Sequence, residues 1–448
     1  MTATFDLTVI GADEASFSAA AVAARTGASV AIIRPRKRKN MAATYCDMPN
    51  FVWRRLDLHE YGLSLERISA RVTLGPDGAT VTTHEGVRET QAALAQEGKA
   101  DHLLWADFVD EMKALEAGRK LRDAATAAPK NGVAGFSLFS GGVRDCAALG
   151  QATGSCAAAL DDYLGDDALK THIAAHALGP SGLGGGEPGS ALALSEFFDE
   201  HAWRVRPDED GPSLLSTLET ACKDSGVEFF TKDLTEIARE GARHVVVSLA
   251  DGETIKTRYV LFASPGAALK AGMRASACPL AGHGAATAVM RIALKRPMPP
   301  AAQDDKAVFQ VLDGAGDLQI AREAALDGRL PDNLPVEFEY AANGDIIVRT
   351  AYCPAAFRDD EGWREWTGQD RQAAARRMID QLARRIPEFS ANVRKTKIEV
   401  IGAASPDRPP IFTGPDFAAG MENVIIQPNR HNAVAAAVRL VDRMLAGE

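Results

Sequence analysis

The residues with the clearest chemical meaning follow the first apolar run of the chain, residues 5–10 (FDLTVI). They are residues 11–16 (GADEAS), which match the G-x-G-x-x-G fingerprint of dinucleotide-binding loops only at Gly11. In that fingerprint the first glycine makes a tight turn, the second lets the backbone approach a diphosphate, and the third lets the helix and strand pack closely. The loop therefore keeps the turn glycine and has lost the other two, at Asp13 and Ser16.

Asp13 and Glu14 add negative charge where a dinucleotide loop offers backbone N–H groups and a helix N-terminus to phosphate. Two like charges ~4–5 Å apart repel by roughly 3–4 kcal/mol at the effective dielectric of a partly buried pair. That repulsion removes about two decades of affinity. Acidic residues in a first helical turn also stabilise the helix dipole when no anion is bound. We therefore predict a degraded phosphate site, in which Ser16 is small enough to be tolerated.

Arg34 follows the second apolar run, residues 29–33 (SVAII). Dinucleotide-binding proteins use an acidic residue at this point to accept hydrogen bonds from ribose hydroxyls. An arginine side chain has only donors, so it cannot accept those bonds. It could instead contact a 2′-phosphate together with Arg36, which keeps NADP as a minor alternative that would still need a phosphate loop.

The elements that position these residues form a strand–turn–helix–strand unit. Residues 5–10 are predicted to be a buried strand, the alanine-rich residues 14–26 a helix ended by Gly27, and residues 29–33 the next strand. The predicted fold class is α/β, with a Rossmann-type FAD/NAD(P)-binding domain interleaved with a mixed-sheet and helical substrate domain. We place residues 1–90, 205–285 and 400–448 in the first domain and residues 91–204 and 286–399 in the second.

Several segments are spread over nearly the whole chain in an order that resembles a known family. They are residues 49–63, the glycine-rich run 179–191 (GPSGLGGGEPGSA), residues 210–231, the hairpin through Asp251 and Gly252, residues 259–265, and the final strand and helix at 422–445. With the N-terminal unit, they resemble phytoene-desaturase-type flavoproteins within the broader group of FAD-dependent amine oxidases and desaturases. The resemblance implies FAD as the cofactor and oxidoreductase chemistry supplied by the flavin.

The resemblance also implies two further FAD contacts, and both depart from the family's pattern. The family has a glycine-rich loop between its last strand and last helix, whereas residues 427–432 (QPNRHN) hold no glycine. Gln427, Asn429 and Asn432 occupy the positions of that contact, and Asn432 is also the expected N-cap of the last helix. Residues 208–211 (DEDG) replace the family's substrate-domain glycine pair.

No catalytic constellation or metal site is evident from residue types and spacing. His172 and His176 are one helical turn apart, but the pattern lacks the glutamate of H-E-x-x-H and a third ligand, so we interpret them as helix residues. The six cysteines include no C-x-x-C pair, which is typical of free thiols in a reducing compartment. We expect no metal and a cytoplasmic protein.

The charge of the chain excludes one class of partner. The net charge is −10 over 448 residues, so nucleic acid is an unfavourable partner. The basic run at residues 34–39 (RPRKRK) is interpreted as a solvated loop, with a contact to an anionic surface as the alternative. No signal peptide and no apolar run of about 18 residues is present, so we expect no transmembrane segment, while peripheral membrane contact stays open.

Three functional hypotheses remain. The first is a pseudoenzyme on a flavoprotein scaffold that binds a small molecule, a lipid or a protein. The second is an active FAD-dependent oxidoreductase, desaturase- or isomerase-like, acting on an apolar substrate. In it the backbone amides of Ala12 and Glu14 hold the phosphates, and Asp13 is turned away. The third keeps a nucleotide other than FAD, with its phosphate on Arg34.

Overall fold

The computed structural model describes residues 3–34, 48, 50–63, 65–113, 115, 154–197, 203–205, 213–241, 244–262, 285–296, 298, 306–341, 344–401, 417–418, 424–426 and 433–446. These residues divide into two compact units. The first comprises the described residues within Met1–Glu66, Trp203–Gly282 and Arg408–Glu448. The second comprises those within Arg67–Ala202 and His283–Asp407. Each unit therefore combines segments that are distant in the sequence.

The first unit is built on an eight-stranded sheet. Its strands lie in the order Phe417–Ala418, Val424–Ile426, Thr254–Phe262, Ala3–Ile10, Val30–Arg34 and Glu228–Thr231. The last five of these are mutually parallel neighbours. The antiparallel hairpin Leu234–Glu240 and His244–Leu249 pairs with Thr254–Phe262. Parallel strands need crossover connections, and the first crossover is the predicted N-terminal helix.

The helices of the first unit cover this sheet with small and apolar side chains. They are Glu14–Arg25, Asn50–Arg55, Leu214–Asp224 and Ala433–Ala446, with a 3-10 turn at Leu58–Tyr61. The first helix, called α1 below (Glu14–Arg25), completely buries Ala19, Ala20, Ala21 and Ala23. It packs between the helices Leu214–Asp224 and Ala433–Ala446, because methyl side chains let three helices approach closely. The predicted strand–turn–helix–strand unit and the α/β fold class are confirmed.

The second unit contains a seven-stranded mixed sheet. In sheet order the strands are Val393–Ile401, Ala285–Leu294, Ile346–Pro354, Val336–Tyr340, Val308–Val311, Ala70–Leu74 and Thr80–His84. The helices are Val87–Gln96, 105–113, Cys156–Tyr163, Asp167–Leu178, Leu192–Phe197, Ala315–Leu326, Gly368–Arg385 and Phe389–Asn392. The 3-10 turns are Pro76–Gly78, Ala100–Leu103 and Gly179–Ser181. The unit matches the predicted mixed-sheet and helical domain.

Residues 67–90 do not belong to the unit in which the sequence placed them. The predicted hairpin around residues 76–78 forms, but its first strand, Ala70–Leu74, pairs in parallel with Val308–Val311. The hairpin therefore extends the second sheet, and the first unit ends near residue 66. Pairing between strands more than 200 residues apart leaves no local signal in the sequence.

Two small sheets complete the described structure: Leu65–Arg67 with Trp203–Val205, and Phe357–Asp359 with Gly362–Arg364. Every helix in the described ranges is too short or too polar to cross a lipid bilayer.

Candidate functional site

The turn at Gly11 joins the first strand to α1 in the way that a dinucleotide loop requires. Gly11 has φ 154°, a conformation that side chains rarely adopt. Its N–H donates to the carbonyl of Ile33 on the neighbouring strand, at 3.1 Å. The loop is thus fixed against the carboxyl end of the parallel sheet, where open α/β folds bind their ligands.

Asp13 is the N-cap of α1. Its Oδ1 accepts one hydrogen bond from the backbone N–H of Ser16 at 2.8 Å and another from the Ser16 hydroxyl at 2.6 Å. The carbonyl of Asp13 accepts the first helical hydrogen bond, from Phe17 N at 3.1 Å. Ser16 is 0% exposed, so the group that holds the carboxylate is part of the packed interior. Asp13 thus caps α1 through hydrogen bonds, one position before the first helical turn.

This geometry does not fit the diphosphate of FAD or of a nicotinamide dinucleotide. A phosphate at the N-terminus of α1 would meet the Asp13 carboxylate, which already takes the N–H of Ser16. Glu14 adds a second carboxylate in the first helical turn. The hypothesis of an active flavoenzyme needs Asp13 turned away from the loop amides, and the structure has the side chain on Ser16 instead.

Arg34 lies at the end of its strand, as predicted, but its side chain is held by neighbours inside the same unit. Its Nη1 lies 2.9 Å from Glu219 Oε1, and its Nε donates to Thr231 Oγ1 at 3.0 Å. The guanidinium also lies 5.0 Å from the centre of the Phe229 ring. The arginine therefore joins its own strand to the next strand and to the helix Leu214–Asp224, an arrangement that favours a structural role over contact with a 2′-phosphate.

Glu219 carries the charge that balances this arginine. Burial would raise the pKa of its carboxyl, but hydrogen bonds and charges from Lys223 and Arg34 outweigh it and lower the pKa to about 2. Lys223 Nζ lies 2.9 Å from the same carboxylate oxygen, one helical turn away. The i,i+4 spacing of Glu219 and Lys223 was readable in the sequence, whereas the pairing of Arg34 with Thr231 depends on strand register.

The remaining predicted cofactor positions, Gln427, Asn429 and Asn432, lie outside the described residues, and so does the acidic run at 208–211. The last helix begins at Ala433, next to the predicted N-cap. Within the described residues, the departures from the dinucleotide-binding pattern are those at the Gly11 loop and at Arg34.

His172 and His176 lie on the helix Asp167–Leu178, as predicted, and His172 is bonded to a strand pair. The Nδ1 and Nε2 atoms of His172 each lie 2.8 Å from a threonine hydroxyl, those of Thr73 and Thr83 respectively. Burial first, then the nearby His176 and Arg71, holds the pKa of His172 well below its usual range. The neutral ring thus fastens the helix to the hairpin. Within the described ranges, no group of three or more His, Cys, Asp or Glu side chains could hold a metal ion.

The glycine-rich run at 179–191 is a packed loop of the second unit. Gly182 has φ 64°, and a Cβ at this position would lie 2.3 Å from the carbonyl oxygen of Ala351. The Tyr352 hydroxyl donates to the carbonyl of Leu183 at 3.0 Å. Glu187 pairs with Arg322 at 2.7 Å. Close packing against the backbone of Ala351 accounts for the glycine at position 182.

A polar row crosses the second sheet and was not found from the sequence. Thr73, Gln310, Glu337 and Arg349 are in register on four adjacent strands. Gln310 Nε2 donates to Glu337 Oε2 at 3.1 Å, and Arg349 donates to the other carboxylate oxygen. The strand Val336–Tyr340 (VEFEY) alternates apolar and acidic residues, a pattern typical of a strand with one solvent-facing side, so the sequence did not indicate that Glu337 is buried.

Comparisons with known proteins relate the chain to others by fold. No protein-family model matches its sequence, and no curated protein is significantly similar to it. A triple mutant of putrescine oxidase, from a study of cofactor-binding redesign, has a TM-score of 0.55 and 14% identity, with 100% of both chains covered. Rab GDI from Plasmodium falciparum has a TM-score of 0.53 and 8% identity, covering 100% of this chain and 99% of that one. The chain therefore shares a Rossmann-type α/β fold with these proteins.

Proposed function

We propose that this chain is a non-catalytic descendant of the FAD-dependent oxidoreductase scaffold, a pseudoenzyme that binds a small molecule, a lipid or a protein. Its relation to phytoene-desaturase-type flavoproteins is part of the same proposal and rests on the sequence segments above. In this proposal the two folded units are retained, while the flavin no longer contributes chemistry.

One observation carries the proposal: the Asp13 carboxylate is bound to Ser16 at the N-terminus of α1. In a working dinucleotide site the phosphate uses that helix end, because its N–H groups and dipole favour an anion. A fixed carboxylate at the same end repels phosphate by roughly 3–4 kcal/mol at ~4–5 Å. Arg34, engaged with Glu219 and Thr231, offers no acceptor for the ribose.

The comparisons support a binding role only in that differently named proteins share this fold. One neighbour is named as an oxidase and another as a Rab GDI, so proteins of different names share this architecture. Fold alone does not define the reaction, and function must be argued from the site. We keep the cytoplasm as the proposed compartment, because Cys156, Cys222 and Cys353 are free and buried thiols.

An active FAD-dependent oxidoreductase on an apolar substrate is the second candidate. The intact turn at Gly11, with its φ of 154°, favours it, since this turn is the part of the fingerprint that shapes the loop. It requires Asp13 to leave Ser16 when the diphosphate binds.

Thermal unfolding with added FAD separates the two candidates. A ligand that binds the native state stabilises it by RT ln(1 + [L]/Kd), so the melting temperature rises with ligand concentration. We expect no shift of the melting temperature with FAD up to 1,000-fold molar excess. NADP and ADP are titrated in parallel. A melting temperature that rises steadily with FAD concentration would reject the pseudoenzyme and support the oxidoreductase.

A further inference from the structure

We infer that Asp13 is a built-in anion, whose carboxylate takes the place of a ligand phosphate at the N-terminus of α1 and closes this loop to diphosphates. The inference rests on the proposed function, because it states how the scaffold keeps the cofactor out. It also predicts that a single substitution at Asp13 opens the loop to diphosphates again.

The two positions that depart from the glycine fingerprint are bonded to each other. Position 13 supplies the carboxylate, and position 16 supplies both the N–H and the hydroxyl that bind it, at 2.8 and 2.6 Å. The two replacements therefore form one unit. With glycine at position 16, the hydroxyl bond would be absent, and with glycine at position 13, the N–H of Ser16 would have no side-chain acceptor.

Acidic and neutral side chains both cap other helices of this chain. Asp166 is an acidic cap, and Ser155, Ser213 and Thr367 are neutral caps; each accepts a hydrogen bond from the first turn of the helix that follows. Such neutral caps satisfy the N–H groups without a net charge. Aspartate adds a full negative charge at the end of the helix that attracts anions, so its effect on a phosphate differs from that of a neutral cap.

The backbone at position 13 also accommodates the glycine that the fingerprint expects. Asp13 has φ −110° and ψ 178°, an extended conformation that glycine adopts freely. Gly11 already provides the turn. Removing the carboxylate should therefore expose the N-terminus of α1 without rebuilding the loop.

Three full-length variants test the inference. Asp13→Gly removes the carboxylate, Asp13→Asn keeps a capping side chain but removes its charge, and Ser213→Ala removes a neutral cap elsewhere in the same unit. Calorimetric titration with ADP and with inorganic pyrophosphate measures the affinity, and circular dichroism checks the fold. We expect Asp13→Gly to bind ADP at least ~30-fold more tightly than wild type, close to the two decades that the charge repulsion removes. Asp13→Asn should gain less, and Ser213→Ala should behave as wild type.

The results separate this inference from the proposed function. FAD titration of the wild type alone tests the proposed function, whereas the difference between wild type and the Asp13 variants tests the built-in anion. Folded Asp13→Gly that binds neither probe more tightly than wild type overturns the inference. If Asp13→Gly fails to fold, Asp13→Asn decides, since it retains a cap: a gain supports the inference and an unchanged affinity rejects it.

Discussion

Asp13 and Ser16 are hydrogen-bonded through one carboxylate oxygen of the aspartate, which accepts from both the N–H and the hydroxyl of the serine. The serine is completely buried, so the contact ties the loop to the interior of the first unit. The contribution of this contact to the free energy of unfolding can therefore be measured by replacing Asp13.

Replacing Asp13 with alanine should lower the free energy of unfolding by about 1 kcal/mol, the usual cost of losing an N-cap. Asn at this position should cost less, because its side-chain oxygen can still accept from Ser16 N. Urea unfolding followed by circular dichroism measures both. An alanine variant as stable as wild type would show that the carboxylate contributes no cap.

The sequence was informative about α1 and its loop because their signals are local. The loss of glycine at position 13, the alanine-rich helix and the turn at Gly11 all lie within a few residues. The partners of Arg34 were not predictable in the same way, since Thr231 reaches it through strand register and Glu219 through helix packing. The misplacement of the hairpin at residues 70–84 has the same cause, a strand pairing with Val308–Val311.

Glu219→Gln should destabilise the protein at neutral pH by ~1.5–3 kcal/mol, the range of hydrogen bonds to charged groups. The pKa of Glu219 is lowered to about 2 from its ordinary 4.5. A lowered carboxyl pKa contributes stability above pH 4.5 that is lost as the pH falls towards 2. The difference in unfolding free energy between wild type and variant, called the gap below, should therefore be largest at pH 7 and shrink from pH 5 to pH 2.

Urea unfolding at each pH measures that gap, with Glu236→Gln as the matched control because Glu236 is an exposed glutamate of the same unit. A gap that is equally large at pH 2.5 and pH 7 would contradict the assigned ion pair with Arg34 and Lys223.

His172→Gln should make the protein less sensitive to mild acid. The pKa of His172 is held well below 6.5, so the unfolded chain binds a proton that the native chain refuses. Stability is then complete above pH 6.5 and falls as the pH drops below it, by up to about 1.4 kcal/mol per pH unit. Glutamine can still bond to a threonine hydroxyl but does not titrate.

Unfolding free energies between pH 7 and pH 5 give this slope for wild type and for the variant. His84→Gln, at an exposed histidine in the same unit, is the control for the His-to-Gln substitution itself. Equal slopes for wild type and His172→Gln would refute the buried neutral histidine.

Gly182→Ala should destabilise the second unit far more than Gly98→Ala. Both glycines have positive φ, 64° and 73°, so both substitutions carry the ~1–2 kcal/mol cost of a left-handed residue. Only at Gly182 would the new Cβ meet backbone, 2.3 Å from Ala351 O, whereas nothing lies within 4 Å at Gly98. Thermal unfolding of the two variants compares them directly, and similar losses would show that the loop can relax away from Ala351.

The flavin content of the purified full-length protein tests the central claim most directly. The absorption spectrum between 350 and 500 nm, followed by denaturation and quantification of released FAD, gives the molar ratio of flavin to chain. The bound Asp13 carboxylate predicts a ratio near zero, both as purified and after incubation with excess FAD and removal of the free cofactor. A ratio near one flavin per chain would contradict the claim, because it would show that the diphosphate displaces Asp13 from Ser16.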